Sequence, residues 1–291
     1  MKIGAECIPC LFERAKFECD LVFDENERDE KVETLAEIMR SISRKLELSI
    51  VPATIGTIRA RIISKKSGTN DPYLKLKIGS DKVARELLPI AIEFYEESKD
   101  KVKALMKIAA SANSMEYGVK GYEYDNESFK GVFLEILKEK LHYDERIETA
   151  LERFDRILYL TDNAGEVVFD EFVARKMVEA GKEVVISPKS SPVINDATIE
   201  DISRSGLFTG FRIVPSGSYV GISLEEAPKE FLELLWDDSY LVFAKGMGYY
   251  ETLSEFEGKL KGRLIYVLRA KCEPVARGMK VKRGELVAKM I

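Results

Sequence analysis

The sequence has no glutamine, a single histidine, a single tryptophan and four cysteines in 291 residues. Each scarcity removes a class of function. With His142 alone, far from the polar strand ends described below, a histidine-rich zinc site is excluded, as is a Ser-His-Asp triad built on the sheet. Cys7, Cys10, Cys19 and Cys272 are too few for a disulfide scaffold in a chain of this length. No apolar run is long enough to span a bilayer. The opening MKIGAECIPC lacks the basic-then-apolar order of a secretory leader, so a cytoplasmic location is expected, with no membrane partner. No block of Lys and Arg offsets the net charge of -5, which argues against a nucleic-acid partner. The absent glutamine and scarce asparagine, set beside abundant Lys and Glu, match the composition of thermophilic proteins.

What is present belongs to a globular chain, 45% hydrophobic and 33% charged. Residues 1–153 carry helical patterns, with apolar residues at three- and four-residue steps in LFERAKFECDLVF, VETLAEIMRSISRKL, the long 84–111 segment and GVFLEILKEKL. Breaks fall at Pro52, at Asn70-Asp71-Pro72 and over 118–126. LHYDERIETALERF reads as one more helix, leading without a linker into the second half. From 154 to 291 the pattern changes to short apolar runs: RILYL, EVVIS, FRIV, YLVFA and RLIYVL, separated by helix-length segments. Runs apolar on both faces and alternating with helices predict an α/β fold, with a Rossmann-like, mostly parallel sheet in the C-terminal half and a mainly α-helical N-terminal cap.

Open α/β sheets bind ligands beyond the carboxyl ends of their strands. All five runs end in polar or glycine-rich sequence. Thr161-Asp162-Asn163-Ala164-Gly165-Glu166 follows the first, and the second leads to Asn195-Asp196. Pro215-Ser216-Gly217-Ser218 follows the third, Lys245-Gly246-Met247-Gly248 the fourth and Arg269-Ala270-Lys271-Cys272-Glu273 the fifth. Asp162, Asn163 and Asp196 offer two carboxylates and an amide oxygen, donors suited to a hard divalent cation. Lys245 supplies a cation in a glycine turn, as a phosphate requires. Gly165 permits close backbone approach at a helix entry. Taken singly, each motif also has a structural explanation: Asp-Asn after a strand is commonly a turn or cap, and NDAT can be a capping motif. Their occurrence on successive strand ends favours one shared site.

The segments DNAGE (162–166), NDAT with Asp201 (195–201), KGMG (245–248) and KCEP (271–274) resemble those of the metal-dependent damage-control phosphatases, once catalogued as domain of unknown function 89. Weaker matches are CIPC (7–10), NDPY with Lys77 (70–77) and ANSMEYG (112–118). The resemblance covers nearly the whole chain and implies hydrolysis of small phosphate esters with a divalent metal, Mg, Mn, Co or Ni. It implies Asp162, Asn163 and Asp196 as metal ligands. Asp162, Glu166 and Lys245 are the expected catalytic residues, and Asn113, Glu116, Ser216 and Gly246 join Glu166 and Lys245 in substrate binding. The CxxC of Cys7 and Cys10 fits a microbial branch. Met247 and Tyr249 stand where members often carry amides, so the substrate does not transfer.

Two rival functions are an S-adenosylmethionine-dependent methyltransferase and a non-catalytic phosphometabolite-binding protein. The single glycine and Asp-Asn pair of TDNAGE speak against the first, and the complete ligand trio against the second. Three structural expectations follow. The helical half should cap the rim of the sheet and bring Asn113 to the ligand. Cys7, Cys10 and Cys272 could meet there, and Cys19 should lie in the core.

Overall fold

The computed structural model describes residues 1–119 and 124–291. The break expected over 118–126 therefore has its middle, 120–123, outside the described residues. Six helices come first: α1 (Cys7–Asp20), α2 (Arg28–Lys45), α3 (Pro52–Ser67), α4 (Leu74–Glu97), α5 (Lys101–Ala112) and α6 (Asn126–Lys138). Then follow β1 (Leu141–Tyr143), α7 (Arg146–Arg153), β2 (Arg156–Leu160), α8 (Glu166–Glu179), β3 (Glu183–Ser187), α9 (Ile199–Arg204) and β4 (Arg212–Ile213). The chain closes with α10 (Lys229–Trp236), β5 (Tyr240–Lys245), α11 (Gly246–Leu253), β6 (Leu264–Arg269), α12 (Glu273–Met279) and β7 (Leu286–Met290). Among the described residues no helix is long and apolar enough to cross a membrane.

The strands form one sheet in the order β1-β7-β6-β5-β2-β3-β4, parallel throughout except for the β6–β7 pair. The fold is thus α/β with a Rossmann-like, mostly parallel sheet and a helical N-terminal region, as the sequence implied. Two strands escaped the sequence reading. Leu141–Tyr143, expected to be helical, is the edge strand β1 and pairs in parallel with β7, itself unforeseen. The FRIV run contributes only Arg212 and Ile213 to a strand.

Alternation along the strands builds two cores. Ile157 and Tyr159 of β2 face a layer formed by α4, α5, α6 and α8, where Leu87, Ile108, Phe133 and Phe169 are buried. Leu158 and Leu160 face α10, α11 and α12, with Phe231, Leu253 and Val275. The helical half therefore plays two parts: α4–α6 cover one face of the sheet, whereas α1, α2 and α3 make a separate small core around Ala15, Cys19, Ile38 and Ile55.

From β2 the chain proceeds outward through β3 to β4, then returns to place β5 on the other side of β2. This reversal lies between β2 and β5, and in such sheets the crevice at the reversal point takes the ligand. The carboxyl ends meeting there carry Asp162 and Lys245-Gly246.

Candidate active site

Above the β2 and β5 ends lies a cavity of about 130 Å³. Asp162, Asn163 and Asp196 form its floor, and α1 and α3 close it from above through Leu11, Arg14, Ala53 and Arg59. The expected cap is formed by these two helices.

The floor is held rigidly. Asp162 and Asn163 follow β2 directly, and Asp196 is fixed beside them by the bridge between Asn163 and Asp196 and by the Ala197 N–H to Asp162 carbonyl bond (2.7 Å). Two side-chain amides converge on Asp162 Oδ2: Asn113 Nδ2 at 2.8 Å and Asn163 Nδ2 at 2.9 Å. The same nitrogens donate to Glu166 Oε2, at 2.9 and 2.8 Å. Both bonds to Asp162 fall on Oδ2. Asn113, where α5 ends, is fully buried against these carboxylates, so the end of α5 does reach the rim. Burial, with Glu166 and then Asp196 close by, pushes the Asp162 carboxyl well above its ordinary range. Burial likewise raises Asp196 to about 6, despite Lys189 nearby.

Lys245 is not the lone rim cation that its glycine turn suggested. It is wholly buried beneath the floor, donating to Glu166 Oε1 at 2.5 Å and Asp170 Oδ1 at 2.6 Å. Neither Lys245 nor Glu166 lines the cavity. Ser216 is also enclosed, sharing a hydrogen bond with the Tyr249 hydroxyl at 3.0 Å. Gly165 does allow a close approach, but to α4: a Cβ there would lie 2.6 Å from Ser80 Cβ, and its N–H is taken by Asp81 at 2.8 Å. His142 sits on β1, paired with Glu285 at 2.9 Å and away from the cavity lining.

Gly246 is required for a different reason. Its φ is +79°, and a Cβ would fall 1.9 Å from Asp162 Oδ2. Gly246→Ala should therefore displace the Asp162 carboxylate and lower turnover by about 10²-fold, the scale of one misplaced catalytic contact. Steady-state kinetics on an alanine variant that still folds provides the check; unchanged kcat/KM would separate Gly246 from the site.

Sequence reasoning missed several participants. Glu116 was expected, but its partners were not: Arg14 Nη1 at 2.8 Å and Lys271 Nζ at 2.5 Å. Arg14 Nη2 also reaches Asn195 Oδ1 at 3.0 Å, and Asn195 Nδ2 holds Asn163 Oδ1 at 2.6 Å. Lys77 joins Asp71 at 2.9 Å and Asp201 at 3.0 Å, tying the NDPY segment to the NDAT helix behind the floor. Cys7, Cys10 and Cys272 all line the cavity as free thiols, and Cys19 is buried in the α1–α3 core.

Glu251, on the same wall, is pushed up to about 7, first by burial and further by Glu116, with the N-terminal ammonium opposing. A raised carboxyl favours folding while protonated. Its contribution is complete below the unfolded value of 4.5 and is lost as pH climbs through about 7. Wild type should lose more melting temperature between pH 6 and 8 than Glu251→Gln does. Parallel melting curves for the two proteins would remove Glu251 from this balance.

The comparison with known proteins decides the family. A family model described as the damage-control phosphatase ARMT1-like domain matches residues 3–287. The chain belongs to this family. Relatives extend over the full length. A damage-control phosphatase of Archaeoglobus fulgidus is 33% identical, with 100% of both chains covered. One from Pyrococcus horikoshii is 31% identical over 99% of this chain and 97% of its own. A crystal structure of a protein of the domain of unknown function 89 family, from Pyrococcus horikoshii, superposes with a TM-score of 0.86 at 29% identity, covering 100% of this chain and 99% of that one. Family membership supports a phosphatase role for this chain.

Proposed function

We propose that this damage-control phosphatase family member hydrolyses small phosphate esters, sugar phosphates or related metabolites, and depends on a divalent cation. The observation that carries the reading is the acidic floor at the strand reversal. Asp162 and Asp196 line one cavity, and beneath them Lys245 stands against both Glu166 and Asp170. Negative charge is left over, and a divalent cation would neutralise it.

The donor set fits that cation. Two carboxylates and an amide oxygen are hard donors of the kind such a cation takes. Asp162, Asn163 and Asp196 would hold Mg, Mn, Co or Ni. The Asn163 oxygen accepts from Asn195 and keeps a second lone pair for ligation, while its amide nitrogen goes on donating to Asp162 and Glu166. The cation, when bound, supplies Lewis-acid polarisation of the phosphoryl group.

The protein's own groups do the rest. Asn113 and Asn163 fix the Asp162 carboxylate through Oδ2. Glu166 holds both amides from below, and Lys245 holds Glu166, so each acts by positioning. α1 and α3 exclude bulk water, which strengthens every charge interaction inside. Attack on phosphorus by water is favoured over attack by Asp162, because Ala164 stands where an aspartyl-phosphate enzyme of the DxD type carries its second acid.

The test is a screen of sugar phosphates, nucleotides and phosphopantetheine compounds with each of the four ions. Phosphate release from small monoesters is expected. Methyl transfer from S-adenosylmethionine, or ligand binding with no turnover on any ester, would replace this reading with one of its rivals.

A further inference from the structure

Cations also border the cavity, on the side away from its floor. On the α1 side, Glu116 is shared by Arg14 Nη1 (2.8 Å) and Lys271 Nζ (2.5 Å). Glu18 is shared by Arg59, through two bonds of 2.7 and 2.8 Å, and by Arg14 Nε at 3.6 Å. Arg14, Arg59 and Lys271 thus share Glu116 and Glu18, and Arg14 Nε is buried with no hydrogen-bond partner among the described residues. Lys271 is sealed from solvent and does not line the cavity. Arg59 does line it, but its guanidinium is locked face to face on the Glu18 carboxylate. Arg14 also lines the cavity, and both its carboxylates are shared with a second cation.

A guanidinium stays charged at any working pH and presents a planar fork of donors matched to phosphate oxygens. A buried cation in a largely apolar wall gains most from an anion that enters beside it. Lys245, the cation the sequence pointed to, cannot serve here while it is buried under the floor between Glu166 and Asp170.

We propose that Arg14 is the substrate-binding cation of this cavity, receiving the phosphoryl oxygens across from the Asp162–Asp196 floor. The assignment rests on the phosphatase reading for its place in a reaction, but phosphate binding can be tested without turnover. Arg14 is also linked to the floor through Asn195, whose amide donates to Asn163. An anion bound at Arg14 therefore meets the same hydrogen-bonded chain that orients the amide ligand.

The experiment measures binding of inorganic phosphate by titration calorimetry to the full chain with Mn²⁺, alongside KM for para-nitrophenyl phosphate and thermal melting. Arg14→Met should weaken phosphate binding by at least about ten-fold, the scale of one charge-assisted contact. KM should rise in step, with Mn²⁺ affinity unchanged within about two-fold. Arg14→Lys keeps the charge beside Glu116 but loses the fork, and should fall between. Should Arg14→Met fail to fold, Arg14→Lys carries the decision. Phosphate affinity equal to wild type in whichever of the two folds overturns the proposal, as does a wild type that binds no phosphate. A wild type that binds phosphate through Arg14 yet hydrolyses no ester would overturn the phosphatase reading and leave the Arg14 assignment standing.

Discussion

Asp162→Asn should cost about 10³-fold or more in kcat/KM while leaving the fold intact. The substitution keeps the shape of the side chain and removes only its charge. Asp162 sits on the floor of the cavity with 7% of its surface exposed, so its charge acts where water is scarce. Cation binding should fail together with turnover, because one of two carboxylate donors is lost. Stability should move the other way. Burial and the neighbouring Glu166 and Asp196 make the ionised Asp162 costly in the absence of a cation. The metal-free variant should therefore melt at the same temperature as metal-free wild type, or above it. A variant retaining more than about a tenth of wild-type kcat/KM would mean that Asp162 is a structural turn residue, as an Asp-Asn pair after a strand often is.

The second large effect falls on stability. Lys245→Met leaves Glu166 and Asp170, both wholly buried, without their shared cation. Removing one partner of a buried ion pair costs about 3–5 kcal/mol, because the remaining charge is unpaired in a poorly polarisable medium. Asp170 keeps the Tyr159 hydroxyl at 2.7 Å, but its other oxygen, Oδ2, has no hydrogen-bond partner among the described residues. The loss should be smaller in mild acid. Burial already raises Asp170 to about 6 with Lys245 present, and removing Lys245 raises it further, so protonation at pH 5 relieves the charge. Adding Asp170→Asn should restore part of the lost melting temperature. A Lys245→Met protein that melts within a degree of wild type at pH 8 would contradict the buried-triad account. It would return Lys245 to the rim role that its sequence context implies.

Lys245 shows where sequence reading stops. A lysine at a strand end in a glycine turn is legible as a cation near a site; its partners are not. The signal was nonetheless present. Glu166 and Asp170 stand four residues apart in EVVFDEFVA, on one face of α8, and two buried acids on one helical face call for a cation. The alternation of strands and helices, the polar strand ends and the meeting of Asp162, Asn163 and Asp196 on one rim were all readable, because each depends on local period or on position relative to a strand. β1 was not. Three residues cannot display a two-residue period, and their pairing with β7 is a contact between residues 141–143 and 286–288. Arg14 and Glu251 were unreadable for the same reason. Arg14 lies in an amphipathic helix where a buried arginine looks like any other charged position, and its partners come from residues 116 and 195. Gly165 was legible as a close approach, but whether a phosphate or a helix approaches is settled only in three dimensions.

The most direct test of the central claim is phosphate release from para-nitrophenyl phosphate by chelator-treated protein, before and after Mg²⁺, Mn²⁺, Co²⁺ or Ni²⁺ is added. The account predicts no release in excess chelator and recovery with at least one of the four ions. Full activity in excess chelator would contradict it.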